Sequence, residues 1–363
     1  MTVVTDQQFV SIHTADGVTM YQFAPEQYTD LSWTRRQRDA SQCDITIPPT
    51  VDLDRLPTIY PWVHWLSVWD GVTDRLLWTG PAMKPTKNRA GLRINAKDHA
   101  AYHQKTRVAI TKRWDAADPS KPAGELWQSM IAAQGLNSRP IVRVDPEGDR
   151  FDYQVIADEQ MTDQALGDLV QLGLRWSVVA GVPIIGPVGL DAVASLSEDD
   201  FLGDGVDLVT DGSAIVNDVL VRGQGNEARA RTNYFGQNLQ SIANLDHLSD
   251  VSNVAKAAKQ FVRNTGTVRT RLDVPGGTEL HPDAPVDIDD LMTSARFVIE
   301  AQGIKELMEL TDVSVSRAQG RASVSVTMKA LPDRDTEGHL IELADVESKK
   351  QPVMTLGGQA GRG

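Results

Sequence analysis

The sequence predicts a mainly β protein in which two β-barrel-like units flank a small α/β insert. Short runs that alternate apolar and polar residues, separated by Gly-containing turns, dominate both ends of the chain. Two stretches with apolar residues at helical spacing lie between them. We therefore divide the chain into a first β-barrel-like domain at 1–110, an α/β insert domain at 111–204, a second β-barrel-like domain at 205–331 and a flexible C-terminal tail at 332–363.

The first unit contains two Asp-Gly hairpin signals, Ala15-Asp16-Gly17 and Trp69-Asp70-Gly71, because Gly accepts positive φ without strain. Cys43, Ile45 and Ile47 alternate with polar residues, which is the period of a half-buried strand, and Pro48-Pro49 ends that strand. Leu92-Arg-Ile-Asn-Ala96 alternates in the same way. Residues 1–110 are therefore expected to be all β.

The insert is predicted to hold two helices and a hairpin. One helix begins at Ser120-Lys-Pro122, places Leu126, Trp127, Met130 and Ile131 on one face, and ends at Gly135. The second begins at Thr162 and ends near Gly173. The uncharged run Trp176–Leu190 is shorter than the roughly 20 residues of a spanning helix and is broken by Gly and Pro. A buried strand-turn-strand is the better prediction.

The second β unit is predicted to contain one helix that begins at Ser249 or Asp250, with an apolar stripe of Val251, Val254, Ala255, Ala258, Phe261 and Val262. The last hairpin has its turn at Gln319-Gly320, and Val313, Val315, Val324, Val326 and Met328 alternate with polar residues. In the tail, residues 337–346 favour a short helix.

Charge and cysteine content limit the classes of function. The net charge is −13, and the acidic balance argues against binding nucleic-acid phosphates or anionic membrane surfaces as the main role. Cys43 is the only cysteine, so neither an intrachain disulfide nor a cysteine metal cluster can form. This suits synthesis in a reducing cytoplasm, and Met1–Asp6 has no features of a secretory signal.

Two short motifs favour a structural interpretation over a chemical one. Gly223-Gln-Gly-Asn-Glu-Ala228 has GxGxxA spacing, but no apolar helix follows it, so we expect a turn that leads into an exposed loop. His99 and His103 are spaced as on a zinc-protease helix, but Ala100 stands where the general-base Glu is needed. Their Lys and Arg neighbours also disfavour a cation, so both histidines are predicted to be structural.

Three acidic clusters are the remaining candidates: Glu198-Asp199-Asp200, Asp287-Ile-Asp289-Asp290 and the set Asp204, Asp207 and Asp211. Paired carboxylates can catalyse proton transfer or bind calcium, but none of these clusters has EF-hand spacing. Solvated turn residues are the expected interpretation. The sequence therefore predicts no catalytic, cofactor-binding or metal-binding residue, and a protein that is not an enzyme.

Five of the eight tryptophans lie in the first unit: Trp33, Trp62, Trp65, Trp69 and Trp78. We expect them in its core, with oligomer interfaces as the alternative, because aromatic residues are enriched there.

Five segments of residues 31–107 follow one another in a recognisable order: Trp33-Thr-Arg-Arg36, Cys43-Asp-Ile-Thr-Ile-Pro48, Leu66-Ser-Val-Trp69, Trp78-Thr-Gly80 and Leu92–Asp98, ending at Arg107. In these segments residues 31–107 resemble the first domain of phage tail hub proteins, the tail-associated (Tal-like) group, and within it the actinobacteriophage minor tail proteins. This chain has Ser41-Gln42 where the family usually carries a Gly. The resemblance extends over about residues 10–331, through Asp218–Gly223 and His281–Ile288.

The resemblance implies a structural protein of the virion, made in the host cytoplasm and located at the tail tip of a long-tailed bacteriophage. Such hubs are homotrimers whose six β-barrels match a six-fold tail tube to a three-fold tip. The implied partners are the distal tail protein, the tape measure protein and central tip or fibre proteins. Longer relatives carry peptidase or fibre regions, and nothing after Leu331 resembles an enzyme.

Two alternatives stay open at this point. The chain could instead be a distal tail ring or peripheral minor tail protein, or a nucleotide- or metal-dependent enzyme that uses the Gly223–Ala228 loop or an acidic cluster. The host, the receptor, the neighbouring tail proteins and the trigger of genome release are not encoded in any recognisable pattern.

Overall fold

The structure, a computed structural model, describes residues 3–146, 148–203, 205–210, 212–245, 248, 250–266, 270–331 and 344–350. Among these residues 46% lie in strands and 16% in helices, so the predicted mainly β fold class is confirmed. None of the helices in these ranges combines the length and the apolarity that crossing a bilayer requires.

The first β unit is an antiparallel arrangement of seven strands that occupies residues 8–97. They are β1 Gln8–Thr14, β2 Thr19–Phe23, β3 Asp30–Arg36, β4 Gln42–Ile47, β5 His64–Asp70, β6 Leu76–Asn88 and β7 Gly91–Lys97. Their order in the sheet is β3-β4-β7-β6-β5-β1-β2. Cys43, Ile45 and Ile47 are fully buried, while the residues between them are only partly buried, as the alternation predicts. Both Asp-Gly hairpins are confirmed, since β1 pairs with β2 and β5 with β6.

The chain next forms the elements of the predicted insert. These are β8 Lys112–Ala117, α1 Ser120–Gln134, β9 Ile141–Val142, β10 Phe151–Val155, α2 Thr162–Gln171, β11 Trp176–Val179 and β12 Val182–Ile185. The starts of both helices at Ser120 and Thr162 are confirmed, and Gly135 caps α1. The strand-turn-strand predicted after Trp176 is also confirmed, because Trp176 pairs with Ile185 across an antiparallel hairpin.

The rest of the described chain forms ten strands, one α-helix and a short 3₁₀ helix, Glu198–Asp200. They are β13 Ala192–Ser197, β14 Asp207–Thr210, β15 Asp218–Arg222, β16 Asn226–Arg231, β17 Gln240–Asn244, α3 Val251–Thr265, β18 Thr270–Glu279, β19 Arg296–Ala301, β20 Ile304–Ala318, β21 Arg321–Ala330 and β22 Ala344–Lys350.

The second β unit consists of β13, β14 and β18–β21, in the order β13-β19-β20-β21-β18-β14. Only the β13–β19 pair is parallel. The predicted hairpin of β20 and β21 is confirmed, with Val313 opposite Val326 and Val315 opposite Val324. Gln319 and Gly320 have φ of 52° and 83°, the positive pair of a two-residue type I′ turn that matches strand twist.

A separate sheet in the order β17-β15-β16-β22 packs against α3. Asp250 caps α3, because its side chain accepts a hydrogen bond of 2.8 Å from the Ser252 amide. The predicted stripe is largely confirmed, since Val254, Ala258 and Val262 are fully buried. Of the tail, 344–350 forms β22, so the expected helix is wrong for 344–346. Residues 332–343 and 351–363 lie outside the described residues.

Two apolar cores support these sheets. The first joins both β units and contains residues such as Trp33, Ile45, Leu310 and Val326. The second contains α1, α2 and the β15–β17/α3 region, and we call this part the α/β unit. Segments on both sides of residue 204 therefore contribute to each core, because β13 pairs with β19 and α3 covers the second core. The boundaries at 110, 204 and 331 stay predictions.

Candidate assembly surfaces and the joint between the β units

The two β units are joined edge to edge by strands that are nearly 300 residues apart in sequence. β20 pairs antiparallel with β3, which places Val313 opposite Arg35, Val315 opposite Trp33 and Arg317 opposite Leu31. The two units thereby form one continuous sheet of thirteen strands. Because shared backbone hydrogen bonds and a common core resist rotation, this joint fixes the relative orientation of the two units.

Arg35, on β3 of the first unit, reaches into the second unit. Its Nη1 donates hydrogen bonds of 2.6 and 3.0 Å to the carbonyl oxygens of Ile288 and Leu291. Its guanidinium lies 5.3 Å from the centroid of the Trp33 ring, a cation–π distance. Burial lowers the pKa of Arg35 to about 10, and the charge is held by carbonyls and an aromatic face rather than by a carboxylate.

Arg317, on β20 of the second unit, makes the reciprocal contact with the first unit. Its Nε donates to the Asp6 carbonyl at 2.7 Å and its Nη1 to the Pro25 carbonyl at 3.1 Å. Its guanidinium lies 5.0 Å from the Tyr28 ring. Burial raises the pKa of Tyr28 to about 12 although the Arg317 charge opposes the shift. The joint is thus clamped at both ends by a buried arginine from the opposite unit.

Sequence reasoning missed this pair of arginines, although a signal was present. Arg35 follows Leu31 and Trp33 at a spacing of two, and Arg317 follows Val313 and Val315 in the same way. Side chains at that spacing share one face of a strand, so each arginine is placed on a buried face.

The α/β unit meets the joint across an open cleft of about 550 Å³. Arg175 spans it, with nitrogens 2.9 Å from a Glu309 oxygen and 3.3 Å from an Asp145 oxygen. Gln37 Nε2 donates to Glu309 at 2.5 Å and to Ser294 at 2.8 Å. These polar contacts connect all three units, and Trp65 adds apolar packing between the first β unit and the α/β unit.

His99 and His103 lie together in a short 3₁₀ helix, His99–Lys105, and both are buried. The Trp65 ring packs edge-on against His99 at 4.9 Å, and the Trp127 ring against His103 at 4.1 Å. Burial lowers the pKa of His99 to about 4 and of His103 to about 3, so both are neutral at pH 7. Their aromatic contacts fit the predicted structural role, which stays a prediction.

Asp98 caps that 3₁₀ helix and ties it to the first β unit. Its carboxylate accepts a hydrogen bond of 2.9 Å from each of the Ser41 and Ala100 amides. Burial raises the pKa of Asp98 to about 7, against the effect of these hydrogen bonds. Its hydrogen-bond partners are the Ser41 and Ala100 amides and the Ser41 hydroxyl, so the carboxyl group ties the 3₁₀ helix to the segment before β4.

The Gly223–Ala228 motif forms the tight turn between β15 and β16, with Gly225 at φ 73°. The expected exposed loop after it is wrong, because Asn226–Arg231 is strand β16 and is paired with β15. A dinucleotide site needs a helix N-terminus at this point. Strand β16 stands at this point, so the motif has no helix N-terminus directly after it.

The acidic clusters do not converge. Asp287 accepts from the backbone amides of Asp289 and Asp290, and Asp289 pairs with Arg75. Asp200 accepts from Ser197 as a local cap. Asp204 and Asp211 lie outside the described residues. Within the described part of the chain, no group of three or more His, Cys, Asp or Glu is placed to hold a metal ion.

The tryptophans of the first unit divide between core and partial exposure. Trp33 and Trp78 lie in the first core, and Trp65 packs into the second, so it connects the first β unit to the α/β unit. Trp62 and Trp69 are half-buried. The expected core location holds fully for three of the five.

Comparison with solved structures finds this fold in tail proteins of low sequence identity. The 43 kDa tail protein of prophage MuSo2 from Shewanella oneidensis has a TM-score of 0.60 at 11% identity, covering 89% of this chain and 98% of that one. A tail protein from Neisseria meningitidis MC58 gives 0.61 at 13% identity, covering 89% and 96%. Prophage tail protein gp18 from Listeria monocytogenes EGD-e gives 0.54 at 8%, covering 88% and 94%. No family model and no curated protein matches this chain.

These likenesses show a shared fold. They extend over nearly the whole of each compared chain, so both β units and the α/β unit are included. The resemblance to the Tal-like group and to actinobacteriophage minor tail proteins stays a prediction.

Proposed function

We propose that this chain is a non-enzymatic structural protein of the virion, a hub at the tail tip of a long-tailed bacteriophage. The observation that carries the proposal is the fold likeness to tail proteins over 89% of this chain, at TM-scores of 0.60 and 0.61. A shared fold alone does not define a function. The architecture of this chain supplies the second support.

The joint between the β units suits a ring in which each chain holds its two units in a fixed orientation. Three copies would supply six β-rich units, and a ring of six matches a six-fold tail tube while the chain itself repeats three times. Each chain must then hold its two units at a fixed angle, and the β3–β20 pairing with the Arg35 and Arg317 clamps does this. The homotrimer would contact the distal tail protein, the tape measure protein and central tip or fibre proteins.

Immunogold labelling of intact virions with antibodies against the purified chain tests the location. We expect label at the tail end distal to the head, and mass spectrometry of isolated tails should detect the chain. Label along the tail shaft would favour a different tail role, and absence from purified virions would contradict the proposal. Calorimetry with nucleotides and divalent metals should show no binding, whereas saturable binding would favour the enzyme alternative.

A further inference from the structure

The two outer strands of the second β unit, β13 and β14, and the residues beside and between them carry exposed carboxylates. No Lys or Arg occurs between Arg175 and Arg222. Within that stretch Asp191, Asp199 and Asp207 are exposed, and none of them has an ion-pair partner among the described residues. Asp207 lies opposite Asp273 in register, and burial together with the Asp207 charge raises the pKa of Asp273. We call the β13–β14 region, residues 190–208, the acidic edge.

The acidic edge also carries exposed apolar side chains, and each of its two strands has one edge that no described strand pairs with. Four aliphatic side chains on it are exposed by 37–47% of their surface: Leu190, Val193, Leu202 and Leu208. Among the described strands, β13 pairs only with β19 and β14 only with β18. Exposed apolar residues rimmed by charge, beside strands with one unpaired edge, are typical of a protein interface.

The first β unit has a surface of the opposite charge. Its β6–β7 hairpin carries exposed Lys84, Lys87 and Arg89 around the turn. Lys84 and Arg89 have no ion-pair partner among the described residues, whereas Lys87 pairs with Asp54. Tyr60 and Val63 are 58% and 56% exposed, and the Trp62 amide between them donates a hydrogen bond to the Ala82 carbonyl of β6. We call residues 84–91 the basic hairpin.

The sheet order separates both surfaces from the joint. In the first unit β6 is three strands away from the joint strand β3, near the middle of a seven-strand path. In the second unit β13 and β14 are the two ends of a path that contains the joint strand β20. The basic hairpin thus belongs to the first β unit and the acidic edge to the second, and neither includes the joint strands β3 and β20.

We propose that the basic hairpin of one copy docks on the acidic edge of the next copy, in a head-to-tail contact that closes the ring. This inference rests on the proposed hub function and names the surfaces that would make the trimer. A contact between two different surfaces is heterologous and closes into a ring when its rotation permits. Opposite charge on the two surfaces favours this contact over contacts between two basic hairpins or between two acidic edges. The exposed aliphatic side chains of the acidic edge would become buried.

Charge reversal and charge exchange test the contact in assembled tails. One variant carries Lys84→Glu with Arg89→Glu, a second carries Asp191→Lys with Asp199→Lys, and a third combines all four substitutions. Each variant replaces the wild-type chain in the phage, and mass spectrometry counts its copies in purified tails. Thermal melts of the purified chains verify folding, which these exposed positions should not disturb.

Each reversal should reduce incorporation into tails by about ten-fold or more, because facing like charges cost at least 1.4 kcal/mol. The variant with all four substitutions should recover most of the incorporation into tails, because opposite charges face each other again. Normal incorporation of both double variants would overturn the contact. Failure of the exchange variant despite normal folding would also overturn it and would indicate a basic partner other than this chain. Absence of the wild-type chain from tails would instead contradict the proposed function.

Discussion

The substitution Val326→Asp is the sharpest test of the core that the two β units share. Val326 lies on β21, a central strand between β18 and β20, and only 1% of its surface is exposed. It stands opposite Val313 on one side and Thr278 on the other. Neither of these cross-strand neighbours is a cation, so a carboxylate here would have no directly opposite ion-pair partner.

The expected loss in the free energy of unfolding is the sum of two contributions. Losing the buried valine removes about 1.5–3 kcal/mol of transfer free energy. Keeping the new carboxyl protonated at pH 7, when its unfolded pKa is about 3.9, costs about 4 kcal/mol at 1.36 kcal/mol per pKa unit. The sum of about 6 kcal/mol is comparable with the whole stability of an ordinary protein.

The pH dependence gives the substitution a second signature. The folded-state pKa of Asp at position 326 would be raised, so its proton stabilises the folded state below about pH 4 and this contribution is lost as the pH rises to 7. The stability gap between wild type and Val326→Asp should therefore narrow by about 1.4 kcal/mol for each pH unit from 7 down to 4.

Soluble expression, followed by urea unfolding at pH 7 and pH 4.5, measures both effects. The matched control is Ser325→Asn, since Ser325 is the half-buried neighbour on the opposite face of β21. The control should unfold like the wild type. A Val326→Asp variant that is as stable as this control at pH 7 would refute the burial of β21 in a common core.

The remaining predictions concern the clamps and the buried histidines. Arg35→Met should lower the free energy of unfolding by about 2–4 kcal/mol, because two buried carbonyls lose their donor, and urea unfolding measures this; no change would contradict the clamp. Burial depresses the pKa of His103 to about 3, so its stabilising contribution is complete above the unfolded pKa near 6.5 and is lost as the pH falls through the folded value. His103→Gln should make the acid loss of stability shallower by about 1.4 kcal/mol per pH unit between pH 6 and 4, and an unchanged slope would contradict this. Chelator treatment should leave the melting temperature unchanged, whereas a loss that zinc restores would show that His99 and His103 bind metal.

Local structure was largely predictable from the sequence because its signals are local. The alternation of Cys43, Ile45 and Ile47 defines one strand, the Gln319-Gly320 turn defines a hairpin, and Thr162 begins a helix. Each of these depends on a few neighbouring residues, whose period or turn chemistry leaves little choice.

Pairing between distant strands was not predictable in this way. Nothing in β3 alone specifies β20 as its neighbour, since a strand edge accepts any strand of suitable register. The same applies to α3, whose apolar stripe predicts a buried face but not which core it covers. The joint and its two arginine clamps are therefore visible only in the folded chain.

A reconstruction of the tail tip at side-chain resolution would test the proposed ring of three copies. We expect three copies around the tail axis, each placing its first and second β units at successive positions of a six-membered ring, with β3 paired to β20 inside every copy. Six copies per tail, a single β unit of each copy in the ring, or a peripheral position away from the axis would contradict it.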